Sequence, residues 1–403
     1  MSSSRKAKMG VIGCGGISRA HFQVTEELQK KGLLELVAVC DVAKEKARER
    51  GERYHIPYFT DVEKMLKMDM DFVDICTGDY THHAIAKLAA EQRKHILIEK
   101  PMAITLPCCD VIINACRKAG VYYEVAENYF RIPIERVIKE IIEKGIIGNV
   151  LKTYAIDPEP AGLPTPSPFS SHSAIIQLLD MGSHRMSEIR IFAGSEAKKV
   201  WGVTKRLSNG PYDDWGHAVA EFENGAVGVC EVGYGPDGKL DYREIVGTRG
   251  TIFLTGRWGG GDMRLTLPGL RRAGLTFAQE VAYAADVPVQ KIRRIVDGYE
   301  VLQSIVVKSE PEIIYRNPYA DCPIKEERIS FAEEIMSVAN AAVYDRPPEY
   351  GIGGRKDIEM CIAMYESSLK GAPVELPIKS ITSFEKKVHE AYDETFGHNP
   401  TDV

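Results

Sequence analysis

A cluster of glycines stands where an apolar strand must turn into a helix. Gly13-Cys-Gly15-Gly-Ile-Ser18 follows the apolar stretch Lys8–Ile12 and opens a helical pattern over residues 16–31. A turn this tight, between a buried strand and the helix that returns over it, commits the chain to a βα crossover. The pattern then repeats. Leu33–Val39 reads as a second strand, Ala43–Tyr54 as a charged helix and Asp61–Leu66 as a short one. Phe72–Thr77 is a third strand, 81–92 a helix, His95–Ile98 a fourth strand, 106–119 a helix and Val121–Val125 a fifth strand. Strands alternating with helices of ten to fifteen residues predict a parallel sheet, and near-continuous apolar strands fit burial on both faces.

The texture changes after about residue 130. A helix over Ile134–Lys144 leads to a strand around Val150–Ile156, a Pro/Ser-rich loop over Pro158–Ser171 and a helix over Ala174–Phe192. From Lys198 to Leu254 longer strands alternate with turn signals, Glu223-Asn-Gly225 and Gly235-Pro-Asp-Gly238, which predicts a mostly antiparallel sheet. Residues 256–328 read as an insertion, with Trp258-Gly-Gly-Gly-Asp262 and a helix near 288–307; helices over 329–344 and 354–370 end the ordered part. The expected class is α/β: a Rossmann-type parallel-sheet domain over 1–128, then an α+β domain over 129–403 with an open, mostly antiparallel sheet.

With 44% hydrophobic and 27% charged residues, the chain reads as an ordinary soluble globular protein. A formal net charge of −6 argues against a nucleic-acid or membrane-surface partner, and no apolar run approaches a membrane span. The polar start Met-Ser-Ser-Ser-Arg-Lys-Ala-Lys has no signal-peptide core. Nine scattered cysteines predict reduced thiols and a cytoplasmic location. The vicinal pair Cys108-Cys109 reads as buried small hydrophobes, and no metal site is expected.

The glycine turn has the form of a dinucleotide cradle. Gly13 would permit the tight turn; Gly15 and Gly16 would let a pyrophosphate approach the backbone, with Ile17 and the free N–H groups of the helix start beside it. Ser18 takes the third small position. Asp41, at the end of the second strand, is placed to accept both adenosine ribose hydroxyls and to repel a 2′-phosphate, so NAD is expected ahead of NADP. Asp41 as a cap on the Ala43 helix is compatible with that role, while nearby Lys44 and Lys46 keep NADP open.

Four stretches together resemble the glucose–fructose oxidoreductase / inositol dehydrogenase (Gfo/Idh/MocA) family: the glycine turn running on through Arg19-Ala-His-Phe, Thr77-Gly-Asp-Tyr-Thr-His82, Glu99-Lys-Pro101 and Asp180-Met-Gly-Ser-His184. The resemblance implies a catalytic group of Lys100, Asp180 and His184, with Thr77, His82, Glu99, Lys100 and Asn128 added to the cofactor contacts. Residue chemistry supports it: Asp180 and His184 are four apart on a predicted helix, about 6 Å along its axis. A neutral imidazole suits removal of a hydroxyl proton while hydride leaves the same carbon, and a lysine can steady the alkoxide. Either Lys100 or His184 takes the proton, and Asp180 holds substrate or orients the base. His82 either meets the cofactor or caps its helix; Asn128 faces the cleft or serves a hinge.

Two departures stand out: Thr77-Gly78-Asp79 replaces a frequent Thr-Pro-Asn, and Ser187 replaces an acid. Lesser candidates are a lid over Ser167–Ser173 with His172, and sugar contacts from Tyr212-Asp-Asp-Trp-Gly-His217. The resemblance implies an NAD-dependent dehydrogenase acting on a carbohydrate or polyol, and a homo-oligomer, dimer or tetramer, through the second sheet. Relatives that break a glycosidic bond by transient oxidation, without net redox, offer the alternative.

Overall fold

The computed structural model describes residues 5–159, 175–235, 241–256, 263–267 and 285–403. The expected lid over Ser167–Ser173, the turn residues after Gly235 and Trp258–Asp262 lie outside them.

The first half follows the predicted alternation. β1 (Ala7–Ile12), α1 (Ser18–Lys30), β2 (Leu34–Cys40), α2 (Lys44–Tyr54), β3 (Tyr58–Phe59), α3 (Val62–Leu66), β4 (Phe72–Ile75), α4 (His82–Glu91), β5 (His95–Glu99), α5 (Leu106–Ala119) and β6 (Tyr123–Ala126) build one six-stranded sheet. Its order, β3-β2-β1-β4-β5-β6, is parallel throughout. The order reverses between β1 and β4, and a crevice opens there at the carboxyl ends of the strands. β3 is an addition to the sequence reading; two residues carry no periodicity to detect.

After α6 (Pro133–Glu143) the chain builds a nine-stranded sheet. β7 (Val150–Glu159) and β10 (Val227–Tyr234) pair in parallel at its centre. Around them lie β8 (Ala197–Lys205), β9 (Trp215–Phe222), β11 (Tyr242–Gly247), β12 (Thr251–Thr255), β13 (Met263–Leu267), β14 (Ala285–Val287) and β18 (Val374–Glu375), all antiparallel to their neighbours. The expected turn forms at Gly225, φ 89°, between β9 and β10. α7 (Gln177–Ala193) and α9 (Ile352–Lys370) cover one face of this sheet, as the alternating burial of β9 and β10 requires.

Residues 288–307 are not helical. They form the hairpin β15 (Val289–Val296) and β16 (Tyr299–Val307), extended by β17 (Ile313–Arg316). Asp297 (φ 50°) and Gly298 (φ 85°) are both left-handed, the backbone of a two-residue hairpin turn, and β-branched residues flank them. The last segment is also more ordered than expected. α8 (Ile329–Tyr344) packs back on α1, β1 and β5, and α10 (Ser383–Phe396) is an additional helix with a reciprocal Thr382/Glu385 cap. Glu385 also accepts the Leu106 N–H at 2.9 Å, so α10 holds the start of α5.

Candidate active site

The glycine turn lies at the switch point of the parallel sheet. Gly13 has φ 98°, its N–H donates to the Cys40 carbonyl at 2.8 Å, and a Cβ there would lie 2.5 Å from the Cys76 carbonyl oxygen. A side chain at Gly15 or Gly16 would meet nothing within 4 Å. One glycine is therefore closed against the neighbouring strand, while the next two border open space at the start of α1, where the first turn carries no acidic residue. That concavity suits a pyrophosphate. The Ser18 hydroxyl bonds the Gly15 carbonyl at 2.9 Å, closing the turn from within. Ile17 is partly exposed beside it.

Asp41 links the end of β2 to the same turn. One oxygen accepts the Cys14 N–H and the other the Ala43 N–H, both at 2.8 Å. It is not the cap of α2, whose N-cap is Ala43. Each oxygen keeps a second lone pair for a ribose hydroxyl.

At the ends of β4 and β5 the loops are tied together. His82 is buried, Nδ1 lying 3.0 Å from the Pro101 carbonyl and Nε2 3.3 Å from that of Thr77. The Thr77 hydroxyl accepts from Thr81 at 2.8 Å. Glu99 is buried, one oxygen facing His21 and the other accepting the Lys100 N–H. His82 and Glu99 thus brace the loops from behind. Asn128 is buried just after β6, and its Oδ1 has no hydrogen-bond partner among the described residues. An orphaned acceptor at this edge fits a carboxamide donor.

Lys100, at the end of the first sheet, meets Asp180 and His184 of helix α7. Lys100 follows β5, and its ammonium ion-pairs with Asp180 on α7. The pair remains partly accessible, with 15% and 21% of the two side chains exposed. Burial opposes the Lys100 charge, but Asp180, Glu99 and Glu127 outweigh it and hold the pKa above the ordinary value. One turn along α7 the His184 ring is buried and stacks on Tyr129, with centroids 4.0 Å apart. Burial, with the cations of Lys100 and Arg185, pushes the imidazole well below its usual pKa, so the ring is neutral at neutral pH.

The sequence reading missed Glu127. It follows β6, and its Oε1 lies 2.6 Å from His184 Nδ1. Burial raises its carboxyl to about 7, against the opposing pull of the Tyr129 N–H and Lys100. An ionised Glu127 accepts Nδ1–H and leaves Nε2 as the basic nitrogen. The signal lay in position alone: an acid at the carboxyl end of the strand beside the Lys100 strand. Ser187 is buried, and its hydroxyl bonds the His184 carbonyl at 2.7 Å, so it serves the helix. Trp215 and His217 flank the core-facing Gly216 on β9, so they project on the face away from α7 and bond Glu231 instead. That placement removes them from the Lys100 cleft.

A buried ionic cluster backs this half of the site. Arg185 bonds Asp157 and Glu188 at 2.6 Å and Asp241 at 3.2 Å, while Arg243 pairs with Asp241 and Glu135. The Arg185 guanidinium also stacks on the Tyr129 ring, 4.7 Å from its centroid.

Known proteins share both halves. Residues 7–127 match the model of the oxidoreductase family with an NAD-binding Rossmann fold, and 136–253 match the GFO/IDH/MocA C-terminal domain. An uncharacterized oxidoreductase, YrbE, of Bacillus subtilis is 30% identical over 255 residues, covering 60% of this chain and 72% of that one. Myo-inositol 2-dehydrogenase of Thermotoga maritima is 28% identical over 259 residues, covering 61% and 74%. A solved levoglucosan dehydrogenase in complex with NADH and levoglucosan shares the fold, with a TM-score of 0.73, 21% identity, and 93% and 100% of the two chains covered. A parallel sheet with an open glycine turn, joined to a second domain of matching sequence, makes this chain a member of the Gfo/Idh/MocA oxidoreductase family, with an NAD-binding Rossmann domain at its start.

Proposed function

We propose that the protein is an NAD-dependent dehydrogenase that moves a hydride between the nicotinamide and a secondary alcohol or ketone carbon of a sugar, sugar derivative or cyclic polyol. The observation that carries this reading is the His184 ring, held at Nδ1 by Glu127 one helical turn from the Lys100–Asp180 pair. NAD supplies the hydride acceptor when bound. Gly15, Gly16 and Ile17 would receive its pyrophosphate, Asp41 its ribose, and Thr77 and Asn128 its nicotinamide end. In alcohol oxidation, His184 Nε2 takes the hydroxyl proton. Lys100 hydrogen-bonds the same oxygen and steadies its developing charge. Asp180 anchors the ammonium and offers an acceptor to a neighbouring hydroxyl. The names of the inositol and levoglucosan enzymes support the substrate class, and Asp41 favours NAD over NADP.

The same reading extends to assembly. Trp201, Val219, Val229, Tyr154, Glu244 and Phe253 lie in register across six strands, on the face of the large sheet away from α7 and α9. Trp201 and Phe253 are exposed, and a second copy would cover them.

The test is the full chain with NAD or NADP and a panel of sugars, inositols and anhydrosugars, following NADH absorbance and product mass together. A ketone formed with stoichiometric NADH is expected. Cleavage of a glycoside with no NADH accumulating would overturn the reading.

A further inference from the structure

A second buried ionic cluster lies beneath Lys100, and the chemistry above does not use it. His21, on α1, has no exposed surface. Its Nδ1 is 2.8 Å from Asp74 Oδ2 on β4, and its Nε2 is 2.9 Å from Glu99 Oε1 at the end of β5. Phe331 of α8 meets the ring edge-on at 5.3 Å. Cys76 donates its thiol hydrogen to the other Asp74 oxygen at 3.4 Å, and Glu334 Oε1 is 3.8 Å from Nε2. With an acid on each nitrogen, a protonated imidazole can donate to both. Burial opposes the charged ring, but Asp74 reverses the effect and raises the His21 pKa well above the ordinary value. Burial pushes the Glu334 carboxyl well above the usual carboxylate range.

The cluster reaches toward the cleft through Glu99. Glu99 Oε2 accepts the backbone N–H of Lys100 at 2.9 Å. The carboxylate is thus gripped at one oxygen by His21 and grips the Lys100 backbone with the other. We propose that His21 is a positioning residue for Lys100: through Glu99 it fixes the Lys100 backbone, and so its ammonium, in register with Asp180, and it ties that geometry to α1, the helix the glycine turn opens. The inference rests on the reading that Lys100 acts in the hydride-transfer site.

The test compares His21→Asn, Glu99→Gln and the double variant in the full chain. Each single variant should lower kcat at least ten-fold. The KM for NAD and the affinity for NADH, read by fluorescence, should stay within two-fold. The double variant should lose no more than the worse single, because both break one linkage. Loss of thermal stability with kcat retained below the melting point would reduce the cluster to a structural role and overturn the proposal. Additive losses in the double variant would do the same. Should His21→Asn fail to fold, Glu99→Asp decides: it keeps the charge and withdraws the carboxylate by one methylene. A ten-fold fall in kcat with unchanged NADH binding supports the linkage, and full kcat overturns it. Lys100→Met separates the two levels. An active Lys100→Met enzyme removes the underlying reading; an inactive one beside fully active His21 and Glu99 variants removes only this inference.

Discussion

Two buried charge clusters back the two halves of the cleft, and they are built on different cations. Under Lys100, one imidazole serves Asp74 and Glu99, and Glu99 holds the Lys100 backbone by a hydrogen bond. Under His184, two guanidinium groups serve Asp157, Glu188, Asp241 and Glu135, and contact with the His184 ring passes through the stacked face of Tyr129. The first cluster can transmit position but depends on a titratable proton. The guanidinium groups of the second stay charged at every working pH, and Arg185 acts on His184 through its field. A backbone hydrogen bond thus carries position from the first cluster, while charge acts on the site from both.

The largest effects should fall on the residues that the clusters support. Lys100→Met and His184→Ala should each lower kcat about 10³-fold, about 4 kcal/mol, with NAD binding by calorimetry preserved. A much smaller loss for one of them would break the symmetry between the halves. Next comes stability. Arg185→Met strands buried carboxylates and should cost about 3–5 kcal/mol in urea unfolding. His21→Asn, which keeps a polar partner, should cost about 1–3 kcal/mol.

pH sharpens the contrast. Because the folded pKa of His21 is raised, its stabilising contribution is complete below the unfolded value near 6.5 and is lost as pH rises through the folded value. The stability difference between wild type and His21→Asn should therefore shrink on the alkaline side; that between wild type and Arg185→Met should not. Glu127 gives a kinetic counterpart. Alcohol oxidation should rise with pH, by up to ten-fold per unit, until Glu127 ionises near pH 7, and Glu127→Gln should flatten that limb. The smallest effect is at the far end of the cleft: Asp41→Ala should weaken NAD about ten-fold more than NADP, by titration of each. Equal losses would leave the carboxylate a purely structural tie between Cys14 and Ala43.

The contrast also explains what could be read from the sequence. The βα alternation of the first sheet was legible because its strands other than β3 are largely apolar and its longer helices show their period. Lys100, Asp180 and His184 were legible as candidates because they sit in short motifs. Glu127 was not, since its meaning comes from lying across the cleft from a helix fifty-seven residues on. The 288–307 hairpin was misread because apolar spacing in Lys291–Val296 also suits a helix, and Asp297-Gly298 carried the deciding signal. The Thr382-x-x-Glu385 cap of α10 was present and unused.

The return of α8 onto the first sheet sets the order in which this chain can be completed. Phe331, Ile335 and Val338 are buried, and α8 lies against α1, β1 and β5, although some two hundred residues separate it from β6. During synthesis the nucleotide-binding part emerges first, yet it carries an uncovered apolar flank until some two hundred further residues have left the ribosome. A fragment cut at residue 128 would expose that flank permanently. The early half is thus bound to wait for the late one, which makes self-association of nascent chains the foreseeable failure of its biogenesis.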